Sequence, residues 1–448
     1  MSALDQYLSL YAHHADTIAA HSPALLNDRR EAALAALQGQ RLPRRGDEGY
    51  EKTDIDALFA PDYGLNITRV PFGVDMAASL RCGVPNLSTL MAVVVGDIYH
   101  PSATLAANLP EGVTMMSLAE AARLHHDRVA QLFGTIAGTD SATTALNTLL
   151  VQDGVYVRLE PGVKLDKPLQ LINVFNTTAP SMAVRRLLID IADGASARLI
   201  VCDHTQLADI DYLSSQVIEI SLGRDASFEL YDMEESSSRT HRVSELYARQ
   251  EAGSSLCVSS LALLGGATRN SYNIRPQGEH CTTELSGLAI GGGAQLIDNA
   301  TRVHHSVARC ASSQLFKYVL FDKAQGAFEG TVIVDEGADY TDAHQTNRNL
   351  LASPDARMHT MPQLEIYCDE VKCSHGAATG QLDDEALFYM RQRGIDAADA
   401  RMMLVQAFMA DVIDTVHYEP LRDRLRHLVE LRLTGRAAIC ADCGAHPS

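Results

Sequence analysis

Residues 152–176 read QDGVYVRLEPGVKLDKPLQLINVFN. Runs rich in Val, Leu and Ile alternate here with Asp-Gly and Pro-Gly turn formers, which is the texture of short strands and not of helices. The same texture continues to about residue 380, and stacking its segments exposes a loose repeat. GASARLIV begins at Gly194, DASFELY at Asp225, AGSSLCVSS at Ala252, HCTTELSGLAI at His280, GAFEGTVIV at Gly326 and DARMHTMPQLEI at Asp355. Most recur 27–31 residues apart, with one long step after His280 that contains GAQLIDNATRV at Gly293. Each unit is a turn residue, a small or polar residue, then alternating apolar positions. One unit alone cannot bury its apolar face, so neighbours must stack, which is the logic of a solenoid. Sandwich strands would recur at about 8–12 residues with hairpin turns. A parallel β-helix, with two or three short strands per coil, fits better.

Helical patterns flank this core. LDQYLSLYAHHADTIAAH and NDRREAALAALQGQ carry apolar residues at three- and four-residue spacing, with Asn27 or Asp28 placed to cap the second. SLAEAARLHHDRVAQLF reads as one helix opened by a capping box of Ser117 and Glu120, and TTALNTLL as a short helix. Beyond the β texture come DDEALFYMRQRG, AADARMMLVQAFMADVIDTV and PLRDRLRHLVELRL, the last with Pro420 at a helix start. The spacing predicts a mainly helical region over 1–150, a β-helix over 151–380, a helical domain over 381–434 and a tail over 435–448.

The 448-residue length exceeds what one compact core holds, which a repetitive fold accommodates. A net charge of −19 disfavours phosphate backbones and anionic membranes as partners, so neither nucleic acid nor membrane binding is expected. Apolar runs such as LSTLMAVVV are too short to span a bilayer, and the N-terminus has no signal-like h-region, so a cytoplasmic protein is expected. Nine scattered cysteines argue for reduced thiols, most of them small core residues.

Nucleotide and hydrolase signatures are absent: no GxxxxGK[ST], no GxGxxG after a strand, no GxSxG and no HExxH. The segment VKCSHGAATG places Cys373 and His375 two residues apart. On a strand both face one side and Ser374 the other. That pair suits a buried structural role, a metal or cluster contact, or a Cys–His nucleophile; the last lacks an orienting Asn or Asp. His304 and His305 must face opposite sides of their strand, and with Cys310, His344 and His280-Cys281 they read as polar residues of a solenoid surface. The tail CADCGAH offers Cys440, Cys443 and His446 at metal-ligand spacing, without an evident fourth ligand.

Three stretches carry a family resemblance: VHHSVARCASSQLFKYVL, GAFEGTVIVDEGADYTDAHQTNRNLL and MPQLEIYCDEVKCSHGAATGQLDDEALFYMRQRGI. They resemble the SufB/SufD family of iron–sulfur cluster assembly proteins, the last with its closing FY-x-R-x-RGI most specifically. The LEIYxDxVKCSHG strand, in place of an acidic EHEA-type stretch, resembles the SufD side of the family. Weaker agreement covers EGYEKTDI and the solenoid entrance, and Tyr50 stands where the family tends to have Trp.

The resemblance implies a right-handed parallel β-helix flanked by helical N- and C-terminal domains, acting as a non-enzymatic scaffold. It implies pairing with a SufB-like subunit through the β-helices, and contact with a SufC-like ABC-type ATPase through the C-terminal helices, with self-association to a homodimer when isolated. His375 then contacts iron or a nascent cluster at the subunit interface, with Cys373 at the neighbouring family position; no cofactor is held stably by the isolated chain. Two ligands on one strand are too few for a four-coordinate site, so the rest must come from another chain. For the ATPase contact the apolar positions Met403, Leu404 and Phe408 are candidates, though core packing accounts for them equally well. The alternative reading is a homodimeric metal-binding β-helix protein using His375 and the tail cysteines; a polysaccharide-acting β-helix enzyme is disfavoured by the absence of Trp.

Overall fold

A computed structural model describes residues 2–73 and 88–434. The β texture closes into a parallel solenoid of about eight turns, with two strands per turn on two opposed walls. One wall is a ten-stranded sheet running from Ile98–His100 and Leu90–Val95 to Asp342–Leu351 and Lys372–Gly380. The other is a nine-stranded sheet running from Val113–Ser117 and Val155–Leu159 to Gln325–Val334 and Arg357–Ile366. From Ser181–Ile191 onward each strand pairs in parallel with the one two places before it, as Ser255 with Ser227 and Ala311 with Thr282.

The repeat read from sequence is this coil. Its long step has a simple cause: His280 opens a strand of the first wall, whereas Gly326 lies in a strand of the second, so the series changes walls between them. The turn residues form a column at one corner, where Gly194, Asp225, Gly253, His280, Arg309 and Tyr340 all take positive φ between 54° and 73°. Glycine adopts this conformation freely, while each other residue bears strain of order 1 kcal/mol that the coil geometry imposes. Peptide bonds stack along the corner, Gly194 N–H to Arg224 O at 2.7 Å and Gly253 N–H to Glu279 O at 2.9 Å.

Alternate residues point into the lumen. Near the entrance they are aliphatic: Leu169 and Leu171, Leu187 and Ile189, Leu199 and Val201, and Ile218 and Ile220 form one buried cluster, each such side chain contributing about 1.5–3 kcal/mol. Polar residues share this interior in pairs, Arg185 and Asp203 on the same strands as these aliphatics. Arg242 lies between Asp203 and Asp232, and Arg185 bonds Asp203 at 3.2 Å, all essentially inaccessible. Burial is tolerable here because each charge has an opposite partner.

The N-terminal helices pack on the outside of the second wall. Ala142–Leu150 is buried at every position and carries Asn147, whose side-chain amide donates to the backbone carbonyls of Arg185 and Ser215. Two expectations need correction. Neither Asn27 nor Asp28 caps the second helix; Arg30–Leu37 has Arg29 at its N-cap with no side-chain bond, because Asn27 is engaged by Arg30 Nε and Ala19 O. The helix expected over SLAEAARLHHDRVAQLF is two, Leu118–Leu124 and His126–Leu132, broken at His125 (φ −123°, ψ 39°). Ser117 caps the first of them, accepting from the Glu120 N–H. The region before residue 150 also contributes strands: Leu90–Val95 pairs in parallel with Leu169–Phe175.

C-terminal helices Asp384–Gln392, Ala397–Ile413 and Glu419–Leu433 follow the last strand, with Pro420 in the first turn of the third. Val405, Met409, Val412, Leu421, Leu425 and Val429 pack against Ile200, Tyr231, Leu261 and Leu288 on the outer face of the first wall. Among the described residues no helix is long and apolar enough to cross a membrane.

Candidate functional site at the open end of the solenoid

The two ends of the solenoid differ. At the entrance, antiparallel strands close both sheets: Ile98–His100 against Leu90–Val95, and Val113–Ser117 against Val155–Leu159. At the exit, Lys372–Gly380 pairs only with Asp342–Leu351 and Arg357–Ile366 only with Gln325–Val334. Their outer edges have no strand partner among the described residues. Soluble solenoids ordinarily end in a capping unit, and free strand edges are pairing surfaces.

Cys373 and His375 lie on this last strand. In parallel register Cys373 stands beside Ala343 and His375 beside Gln345. Ala343 and Gln345 are buried on the lumen side, and Gln345 donates to Gln314 Oε1 at 3.2 Å. The pair therefore shares the inward face, and Ser374 points outward, where its hydroxyl meets His344 Nδ1 at 2.7 Å. Among the described residues no further coil covers the inward face here, and His375 is exposed and Cys373 only half-buried. A geometry that seals a side chain inside any earlier coil presents it at the mouth of this one.

Cys373 packs with Val332, Val334, Ala338 and Ala343, alongside Leu364, Val371 and Cys368. Burial pushes its thiol above the usual range, with Asp342 and Cys368 adding to the effect. Cys368 donates to Asp339 Oδ1 at 2.7 Å, and that bond raises its pKa too. Both enter any metal chemistry as thiols whose proton a cation must displace. One imidazole and one thiol leave a tetrahedral site half-filled. Large apolar side chains surround the mouth: Ile366, Tyr367 and Tyr340 are 40%, 64% and 59% exposed, and Arg309 lies 5.6 Å over the Tyr340 ring.

The other candidates separate from this site. His304 and His305 do face opposite ways: His304 bonds Asp335 at 2.8 Å outside, while His305 is buried and bonds Ser312 at 2.9 Å inside. His280 stands at the left-handed corner, and Cys281 beside it is buried with Cys310. On the C-terminal helices Met403 is exposed and Leu404 half-buried. Phe408 is also half-buried, and its ring and carbonyl are both occupied by the Lys317 ammonium. Cys440, Cys443 and His446 lie outside the described residues.

Comparison with known proteins bears on this arrangement. The family model for the SUF system FeS cluster assembly SufBD core domain matches residues 174–408, and the model for the SufBD N-terminal region matches 1–171. The chain belongs to the SufB/SufD family. It is 28% identical over 420 residues to an iron-sulfur cluster assembly SufBD family protein of Synechocystis, covering 91% of each chain. It is 32% identical over 299 residues to the iron-sulfur cluster assembly protein SufD of Escherichia coli, covering 65% of this chain and 70% of that one. Against SufD of Bacillus subtilis the identity is 24% over 329 residues, covering 72% and 74%. This SufB/SufD chain is thus an iron–sulfur cluster assembly protein similar to SufD.

Sequence reasoning missed three features of this SufB/SufD protein. Cys368 joins the apolar cluster beside Cys373 because the chain turns back between the last two strands; CDEVKC, with its acids between two cysteines, was the available signal. Tyr340 and Tyr367 line the mouth, and Phe388 and Tyr389 stand exposed on Asp384–Gln392, a helix with no buried residue. Aromatic residues of such a helix read as core, whereas here Ala386, Leu387 and Met390 are the half-buried ones and Phe388 and Tyr389 face outward.

Proposed function

We propose that this chain is a non-catalytic scaffold subunit of an iron–sulfur assembly complex, pairing with a SufB-like subunit through the open end of its solenoid. His375, with Cys373 beside it, supplies part of the ligand set for iron or a nascent cluster, and the partner supplies the remainder. Iron is cargo here and no cofactor stays with the isolated chain. The observation that carries this reading is the coincidence of two unpaired strand edges, an apolar rim and an exposed inward-facing imidazole at one end of the coil. An incomplete ligand set suits transient assembly, since four thiolates from one chain would hold a cluster too firmly to pass it on. The C-terminal helices serve the contact with a SufC-like ABC ATPase; the exposed Phe388, Tyr389 and Met403 support that assignment, and Leu404 and Phe408 contribute less because both are partly covered.

The pairing is tested by placing charge on the rim. Tyr367→Asp combined with Ala377→Asp changes two exposed residues, so the fold should persist by circular dichroism. Sedimentation of the variant with a SufB-like subunit should show separate chains where the parent forms a heterodimer. A heterodimer of unchanged affinity overturns the assignment of this end.

A further inference from the structure

Far from the mouth, three side chains form a row across the outer face of the first wall. Glu229, Cys257 and Glu284 hold equivalent register positions on the neighbouring strands Ser227–Glu235, Ser255–Leu264 and Thr282–Gly291. The connection between the second and third C-terminal helices lays His417 over this row. Its Nδ1 lies 3.6 Å from Glu229 Oε1 and its Nε2 3.7 Å from Glu284 Oε2. The backbone fixes its place, because the His417 N–H donates to Tyr231 Oη at 3.1 Å. Tyr231 in turn donates to Glu229 Oε2 at 2.6 Å, and Arg198 Nε donates to the same oxygen at 2.9 Å. Glu229 thus has one oxygen committed and the other turned toward the imidazole.

We propose that Cys257, Glu284 and His417 bind one divalent cation of borderline softness, Zn2+ or Fe2+, with Glu229 Oε1 as the nearest further donor. The three ligand atoms already lie within 4.8 Å of one another. Tetrahedral zinc with bonds of about 2.0–2.3 Å needs donors roughly 3.3–3.8 Å apart, so they must close by about 1 Å. Cys257 is the fixed ligand, 5% exposed. Glu284 and His417 have the freedom to move, their side chains being 45% and 49% exposed. A thiol, an imidazole and a carboxylate suit Zn2+ or Fe2+ and are the wrong set for Mg2+ or Ca2+, which take oxygen. The two carboxylates favour a cation as well; burial first, then Glu284 and Glu229, push the Cys257 thiol above the usual cysteine range, so the cation must displace its proton. Binding would release the Cys257 proton to solvent and place a positive charge among three negative groups. The cation would tie the C-terminal helices to the solenoid wall, and this site is independent of the reading of the open end.

The test is Co2+ titration of the full chain in which Cys440 and Cys443 are serine, so that the tail cannot contribute thiolate. One equivalent should bind, with visible tetrahedral bands and near-ultraviolet thiolate-to-cobalt absorption, and Zn2+ or anaerobic Fe2+ should displace it. Cys257→Ser should abolish the near-ultraviolet band, and His417→Ala and Glu284→Gln, at half-exposed positions that the fold tolerates, should weaken binding about tenfold or more. The thermal midpoint should rise with one equivalent of Zn2+ in the parent and not in Cys257→Ser. A thiolate band that persists in Cys257→Ser, wild-type affinity in both other variants, or no thiolate band below millimolar Co2+ overturns the proposal.

Discussion

Arg186→Met is the sharpest test of how the N-terminal helices are fixed to the solenoid. Arg186 and Glu219 side chains are both 0% exposed, and they meet through Nη2 at 2.6 Å and Nε at 3.1 Å. Glu219 also accepts the backbone N–H groups of Gly134, Ile136 and Ala137 at 2.9, 3.2 and 3.0 Å. Arg186 reaches Asn147 Oδ1 and Thr148 Oγ1, each at 3.2 Å, and stacks 4.8 Å from the Phe133 ring. Methionine keeps most of the volume and removes the charge. Stranding a buried carboxylate costs about 3–5 kcal/mol. The three backbone donors still solvate Glu219, which holds the loss toward the lower end, about 3 kcal/mol. Arg239→Met, which breaks an ion pair with Asp211 whose side chains are 51% and 44% exposed, serves as the control and should leave stability unchanged. Urea unfolding of both variants at pH 7 makes the comparison. Equal midpoints for Arg186→Met and Arg239→Met would refute the claim that this buried pair anchors the helices.

Other predictions follow from the same structure. Burial, with His304 adding, holds the pKa of His305 at about 4 against 6.5 for a free imidazole. The unfolded chain therefore takes up a proton that the native chain refuses: stability should fall by about 3 kcal/mol as pH drops from 6.5 toward 4, and no further from this group below that. Urea midpoints against pH for wild type and His305→Gln should differ in slope over that window, and identical slopes would dismiss the buried neutral imidazole. Gly287→Ala would set a methyl 2.1 Å from Phe316 Cδ1, a clash costing about 1–3 kcal/mol that thermal melting should register and that Phe316→Leu in the same chain should partly relieve. Lys317, whose Nζ donates to Phe408 O at 2.7 Å and Asp411 Oδ2 at 2.5 Å, clamps Ala397–Ile413 to the wall. Lys317→Met should lower local opening free energy by about 1.5–3 kcal/mol, seen as faster hydrogen exchange over 397–433 with the solenoid strands unchanged.

The coil was legible because its period is written in turn residues. Gly194, Asp225 and Gly253 occupy equivalent corners whose left-handed backbone favours Gly and Asp, so geometry imposes a composition that can be read back. Arg309 and Tyr340 fill the same corner without that signature, and the repeat passes over them; His280 lacks it too, but the alternation after it keeps its coil legible. LSTLMAVVV is too short to span a bilayer, and its β-branched run belongs to the first wall. The interior charges, Arg185, Asp203, Asp232 and Arg242, were invisible, because alternation alone assigns charge to the outside and pairing across coils depends on tertiary register. For Cys373 and His375 the spacing gave their common face. Whether that face was sealed or open depended on no coil following them. His417 shows the opposite limit: a lone histidine after a helix acquires neighbours from three strands that lie over a hundred residues earlier, and nothing local announces them.

The central claim is that the imidazole at the open end of the coil takes part in holding iron that a second chain also holds. The most direct measurement is iron and sulfide incorporated by a complex of this chain, a SufB-like subunit and the ABC ATPase, with His375→Ala compared against the parent. The account predicts a complex of unchanged stoichiometry with cluster content reduced severalfold. Wild-type cluster content in an intact His375→Ala complex would contradict it.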